Sequence, residues 1–424
     1  MSEFIIPSES AAAAPTSGLL TDFARRLVMQ QLESLQRGRL TLFEDDEIRE
    51  FGEPADLAAK VFIHNPASYA DIAFGGSLGA AEAYIRGDWS ADDLTQVCRI
   101  FARNIDASDE LEKGWAILAA PGAKLLHWLH RNSKSGSGRN IRAHYDLGND
   151  FFQLFLDPTM NYSAAIFERP QMTLEEASIA KMDRACRKLQ LQPSDHLLEI
   201  GSGWGAMAIH AAKNYGCRVT TTTISREQFE LAKQRVKDAG VSERVEILLR
   251  DYRDLEGQFD KIVSIEMIEA VGHEYLETYF GACSRLLKPD GMMLVQGITM
   301  GDDRYDSYRK SVDFIQKYVF RGSCLTSVSA MCAAAGRSGD LRPAHLEDMT
   351  PHYARTLRLW RENFFAHIRD VRALGYSESF IRLWNYYLCY CEAGFEEGHC
   401  GSVQLLLTKP RRRRDTVCFE TEAA

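Results

Sequence analysis

Proline is scarce, at 12 of 424 residues, and the 30 glycines follow no short period, so collagenous, low-complexity and wholly disordered architectures are excluded. No window holds the ~20 consecutive apolar residues of a membrane-spanning helix, so any work on a membrane is expected from its surface. Basic charge is in deficit: 50 Lys and Arg stand against 59 Asp and Glu, a formal net charge of −9. That excludes a field gathering nucleic acid over the whole surface, and an anionic partner needs a local basic patch. Ten cysteines make no disulfide scaffold in a chain this long. Cys186, Cys217, Cys283 and Cys324 fall inside regular segments, and Cys389 with Cys391 is too close and too isolated for a zinc site. No metal is expected, and a reduced, cytoplasmic compartment is. The opening MSEFIIPSESAAAAPTSGLL lacks the basic start and unbroken apolar core of a secretory signal, and residues 1–19 read as a flexible tail.

What is present is core material, 45% hydrophobic residues, enough for one large or two medium domains. From 20 to 130 the pattern is mixed: helical spacing in TDFARRLVMQQLESL, strand-like runs RLTLFE and AKVFIH, then a helix in LGAAEAYIRGD. This reads as an α+β unit without a catalytic cluster. RNSKSGSGRN follows, where Gly, Ser and basic residues displace apolar ones, and 131–138 is taken as a linker. Beyond it, HLLEIG, RVTTTTI, VEILLRD, FDKIVSI and MMLVQGI alternate with helical stretches, the pattern of βαβ crossovers and a parallel sheet. VQLLLTKP supplies a last strand, and 410–424 form a basic, then acidic, tail.

In LLEIGSGWGAMAI, Gly201, Gly203 and Gly205 lie after a strand and before a helix, with Glu199 just ahead. The spacing is G-x-G-x-G rather than the G-x-G-x-x-G of a pyrophosphate loop. It suits a ligand with an amino-acid end and a ribose, though three glycines alone also fit a structural turn. Thr223, Ser225 and Gln228 after the next strand, and Asp251 with Tyr252 after the third, add polar groups where open α/β sheets bind ligands. S-adenosylmethionine fits this set better than NAD.

Taken with IRAHYDLGNDFFQLFLDPTMNYS, VSIEMIEAVGHEYLETYF, LVQGIT, IQKYVFRGSCL and PHYARTLRLW, the glycine loop resembles the cyclopropane fatty acid synthase family of S-adenosylmethionine-dependent methyltransferases. The likeness spans 139–409, and SLGAAEAYIRGDW resembles the N-terminal domain of its phospholipid-acting branch. The resemblance implies a Rossmann-like class I methyltransferase domain with a helical lid over an acyl tunnel, plus a smaller N-terminal α+β domain that docks on the membrane or on a second copy in a homodimer. It implies methyl transfer to the cis double bond of unsaturated acyl chains in a phospholipid bilayer, by a protein peripheral to the inner membrane face. Tyr145, Tyr162 and Ser163 join the cofactor side.

The family's bound bicarbonate removes a proton after methyl transfer. Its ligands map onto Glu269, Tyr353 and backbone at Ile298, while the family's Cys is Ala164 here and its His is Gln296. Ala164 keeps a backbone donor; Gln296 can donate a hydrogen bond but carries no positive charge. EMIEAVG and QGITM resemble a subgroup that makes methylene or methyl-branched chains instead of rings. Buried, Glu269 is expected to be protonated at neutral pH. Glu266, three residues earlier, fits a solvated pair with it as well as a role in the reaction.

Tyr145, Tyr162, Phe314, Tyr318, Tyr353 and Trp360 are candidates for an aromatic wall, although aromatic residues at helical spacing also serve as core. His144 reads as structural or cofactor-adjacent. Arg411 to Arg414, and Arg131, Lys134, Arg139 and Arg142, are candidate membrane contacts. Two rivals stand beside the lipid enzyme: a methyltransferase of a soluble metabolite, with a small pocket, and an inactive lipid-binding homologue, suggested by Ala164 and Gln296.

Overall fold

The computed structural model describes residues 18–53, 56–104 and 147–413. In the N-terminal unit, α1 (Gly18–Glu33) precedes β1 (Gly38–Glu44), β2 (Glu47–Glu53) and β3 (Ala58–Ile63), then α2 (Ser68–Arg86), β4 (Trp89–Ala91) and α3 (Leu94–Arg103). The strands make a mixed sheet in the order β2-β1-β3-β4. β1 alternates buried and exposed residues as a half-buried strand should. β2, sequence EIREFGE, is exposed at all but one position and has no such alternation, so nothing in its pattern announced it. The helix expected from LGAAEAYIRGD begins earlier, at Ser68, and breaks at Gly76, whose φ of 58° and ψ of −142° lie outside helical space.

The C-terminal unit opens with α4 (Asn149–Gln153) and α5 (Leu174–Lys188), the latter started by a capping box between Thr173 and Glu176. Then follow β5 (His196–Ile200), α6 (Ala206–Asn214), β6 (Arg218–Thr223), α7 (Arg226–Asp238), β7 (Val245–Leu249), β8 (Phe259–Ile265), α8 (Leu276–Leu286) and β9 (Leu287–Met300). After α9 (Asp302–Tyr308) and a π-helical turn at Ile315–Val319 come α10 (Val328–Ser338), β10 (Arg342–Asp348), α11 (Thr350–Ala366), α12 (Ile368–Ala373), α13 (Glu378–Glu396) and β11 (Cys400–Thr408). The seven-stranded sheet has the order β10-β11-β9-β8-β5-β6-β7. β5 to β9 are mutually parallel, whereas β11 and β10 join antiparallel. The antiparallel β10, RPAHLED, is a mostly exposed edge strand whose polar composition hid it. β5 lies between β8 and β6, so the chain reverses strand order there and leaves a crevice beyond its carboxyl end.

The two units pack directly. On α13 and just beyond it, Glu397 accepts from Arg99 at 2.6 Å and Arg103 at 2.5 Å, Glu392 accepts from Thr95 at 3.2 Å, and Asn385 donates to the Tyr84 hydroxyl at 2.8 Å. Glu82 of α2 accepts from Lys317 at 2.7 Å and Tyr318 at 2.6 Å. The linker expected at 131–138 lies outside the described residues.

Candidate active site

The crevice opens into a cavity of about 1610 Å³. At one end it is walled by the β5 and β6 ends and at the other by the N-terminal unit, through Leu27 of α1 and Ile72 to Leu78 of α2. Gly201, Gly203 and Gly205 all have positive φ, 95°, 47° and 87°. A side chain at Gly203 would project into open space, and one at Gly201 would meet Met267 at 3.2 Å. Gly201 and Gly203 line the cavity, but Gly205 sits behind it as the N-cap of α6, with Ala232 at 3.3 Å from its would-be Cβ. Ser225, expected on the cofactor, instead caps α7 by accepting from the Gln228 N–H at 3.3 Å. Thr223, whose hydroxyl donates to Gln228 at 2.8 Å, lines the cavity together with Gln228, Asp251 and Tyr252. Glu199 is buried, its Oε2 lacks a partner, and burial pushes its carboxyl up to about 8.

Past the glycine loop the wall becomes acidic and aromatic. Glu266, just after β8, has φ of 49°, a left-handed conformation costing about 1 kcal/mol in a residue with a Cβ. Its carboxylate accepts from three donors: Ala164 N at 2.9 Å, Gln296 Nε2 at 2.9 Å and the Tyr353 hydroxyl at 2.6 Å. The Gln296 amide is oriented by Gln404, which donates to its Oε1 at 3.0 Å. Glu269 follows in a short 3-10 turn; its Oε1 accepts from Ile298 N at 2.5 Å and its Oε2 is buried without a partner. Burial and the neighbouring Glu266 push the Glu269 carboxyl up to about 8. Burial raises Glu266 as well, against the opposing pull of its three donors. With one donor against three, Glu269 is the member that carries a proton at neutral pH.

The residues mapped onto a bicarbonate site are thus brought together, but around a side chain. Ala164, Gln296 and Tyr353 all bind Glu266, and Ile298 binds Glu269. From sequence alone Glu266 fits either reading; its signal is that the first carboxylate of EMIEA stands directly after a parallel strand. Of the expected aromatic wall, Tyr162 and Tyr353 line the cavity. Phe314, Tyr318 and Trp360 do not: Phe314 packs on Tyr386 at 4.8 Å between centroids, Tyr318 binds Glu82, and Trp360 stands behind Tyr162 at 5.2 Å. Their lining places go to Phe320, Tyr386, Tyr387, Tyr390 and Phe395, of which only Phe320 falls within a quoted motif, IQKYVFRGSCL. Ser163 lines the cavity and also accepts from Lys181. Tyr145, His144, Arg414 and the basic residues from Arg131 to Arg142 lie outside the described residues. Arg412 does not project as a free charge, because its guanidinium donates to Gln190.

Residues 132–405 match the family described as mycolic acid cyclopropane synthetase. The tuberculostearic acid methyltransferase of Mycobacterium tuberculosis is 41% identical over 360 residues, 83% of this chain and 84% of that protein. The cyclopropane-fatty-acyl-phospholipid synthase of Escherichia coli is 37% identical over 346 residues, 81% and 85% of the two chains. Among solved structures, the mycolic acid cyclopropane synthase CmaA1 in complex with SAH and CTAB is 36% identical with a TM-score of 0.60, across 64% of this chain and 98% of that one. The chain therefore belongs to the mycolic acid cyclopropane synthetase family of S-adenosylmethionine-dependent fatty acid methyltransferases and cyclopropane synthases.

Proposed function

We propose that this protein transfers the methyl group of S-adenosylmethionine to the cis double bond of unsaturated acyl chains in membrane phospholipids, with the Glu266 carboxylate as the proton acceptor. The observation that carries this is the Glu266 carboxylate, held by three donors in the wall of a long, largely apolar cavity that begins at the glycine loop.

The residues at the sheet end suit the methyl donor. The unpartnered Glu199 oxygen is an acceptor waiting for a hydroxyl or ammonium, and the open space at Gly203 admits a ligand against the backbone. Glu199, Gly201, Gly203, Thr223, Gln228, Asp251 and Tyr252 would hold it. When bound, it supplies an electrophilic methyl group on a sulfonium. The aromatic wall of Tyr162, Phe320, Tyr353 and Tyr387 excludes water and presents π faces to the positive charge that methylation leaves on the acyl chain. Glu266 then takes the proton, and Glu269, already protonated, adds no second negative charge beside it.

Bicarbonate does not fit this chain. Of the groups expected to hold it, Ala164, Gln296 and Tyr353 are engaged by Glu266 and Ile298 by Glu269, so that only the Glu269 Oε2 is left over, and Glu266 takes the ion's place. The likeness to the tuberculostearic acid methyltransferase favours a branched product over a ring, and with Glu266 taking the proton that branch is unsaturated, a methylene or methyl-substituted alkenyl chain. The apolar cavity argues against a small soluble substrate, and the complete Glu266 cradle against an inactive homologue. No described helix is long and apolar enough to cross a membrane, and the proposed contact with the bilayer is made from its surface.

The test is lipid mass spectrometry after expression with methyl-labelled methionine. One labelled carbon per modified acyl chain, in phospholipid, is expected, with fragmentation showing a branch. Label absent from phospholipid acyl chains would overturn the assignment.

A further inference from the structure

Lys181 lies on α5 with no exposed surface. A lysine so enclosed loses the hydration of its ammonium group and persists only where other interactions offset that loss. No described carboxylate pairs with it directly. Instead Nζ donates to Asn161 Oδ1 at 3.1 Å and to Ser163 Oγ at 2.7 Å. Both acceptors belong to the segment that ends in Ala164, whose N–H donates to Glu266. That segment follows Met160, which has φ of 58°, and includes Tyr162, whose hydroxyl pairs with Tyr387 at 2.9 Å. One turn earlier on α5, Ser178 donates to Asp157 at 2.9 Å, so the helix grips the same stretch at two places.

We propose that Lys181 is a positioning residue for the reaction: its enclosed ammonium fixes the 161–164 segment that carries a Glu266 donor, and supplies the counter-charge beneath that carboxylate. The inference rests on the reading of Glu266 as proton acceptor. The charged groups that act on Lys181 are Glu266 beyond β8, Asp157 ahead of the segment and Glu199 on β5, and Lys181 in turn acts on His210 of α6. Facing Glu266 are Glu269, Tyr353 and Lys181. Burial brings the Lys181 ammonium down to about 8, while the three carboxylates favour its charged form. Near neutral pH it is therefore positive, and a positive charge there adds to the hydrogen bonds from Tyr353, Ala164 and Gln296 in favouring the ionised form of Glu266. Without it, Glu266 protonates at higher pH and the enzyme loses its acceptor.

Lys181→Met keeps length and removes charge. Assayed on unsaturated phosphatidylglycerol vesicles, it is expected to lower kcat at neutral pH at least ten-fold, to move the acid limb of the kcat–pH profile up by about one unit or more, and to leave the KM for S-adenosylmethionine within about three-fold. A folded variant whose limb stays in place, at any kcat, overturns the proposal. Should Lys181→Met fail to fold, Ser163→Ala carries the test. It removes the 2.7 Å bond without changing charge and is expected to lower kcat about three- to ten-fold with the limb unmoved; wild-type kcat would overturn the positioning role. Glu266→Gln in parallel separates the two ideas: turnover in that variant sinks the acceptor assignment, whereas a dead Glu266→Gln beside an unshifted Lys181→Met sinks the Lys181 proposal alone.

Discussion

The Tyr353 hydroxyl, on α11, donates to Glu266 Oε2 at 2.6 Å across 87 residues of sequence. The ring is stacked on Phe395 at 4.4 Å between centroids, so the donor arrives on a rigid arm. A charge-assisted bond of this kind contributes about 1.5–3 kcal/mol to the ionised form of its acceptor. It also ties α11 to the end of β8, so one bond holds together two elements that both wall the cavity.

Tyr353→Phe is expected to lower kcat roughly 10- to 100-fold, the range that the loss of one such bond gives. Removing a donor to the charged form raises the Glu266 pKa, so the acid limb of the pH profile should move upward. A kcat–pH series on the variant and wild type checks both, and an unmoved limb would detach Tyr353 from Glu266.

Glu266→Gln should cost about 10² to 10⁴ in kcat, the contribution typical of a positioned base. Titration calorimetry with S-adenosylhomocysteine should find affinity within a few-fold of wild type. Near-normal turnover would remove Glu266 from proton transfer.

Because the protein's own carboxylate occupies the donor set, turnover should not depend on dissolved carbonate. Initial rates in carbon dioxide-depleted buffer should match those with added bicarbonate. A rate that falls on depletion and recovers on addition would put the ion back.

Glu199 and Glu269 both sit near 8 in the fold against 4.5 unfolded. Between those values the folded state binds more protons than the unfolded one, so stability is full below the lower value and declines as pH rises through the upper. Each group adds a slope of up to about 1.4 kcal/mol per pH unit. Glu269→Gln should remove its share of this decline, so that urea midpoints measured from about pH 5 to about pH 8 fall less steeply, or rise more, in the variant than in wild type.

Much of this was legible in the chain. β5 to β9 read directly as apolar or β-branched runs, mostly separated by helical stretches, because buried parallel strands carry their signal in composition. The glycine loop was legible because a ligand must approach backbone there. β2 and β10 were not, being exposed edges stabilised by their partners' hydrogen bonds rather than by apolar faces. Phe320, Tyr386 and Tyr390 carried no mark separating a cavity-facing ring from a core ring, since both kinds satisfy the same helical period.

The sequence by itself determined the parallel strands β5 to β9 and the glycine loop at their end, which depend on local pattern, while its resemblance to a known family grouped Glu269, Tyr353, Gln296 and Ala164 in one site. Only the tertiary structure decided that those groups close around Glu266, and that α1 and α2 complete the cavity. Both outcomes depend on distances between segments far apart in the chain. A donor's partner is set by where the backbone brings it, and an EMIEA run reads the same whether its first carboxylate faces water or three buried hydrogen bonds.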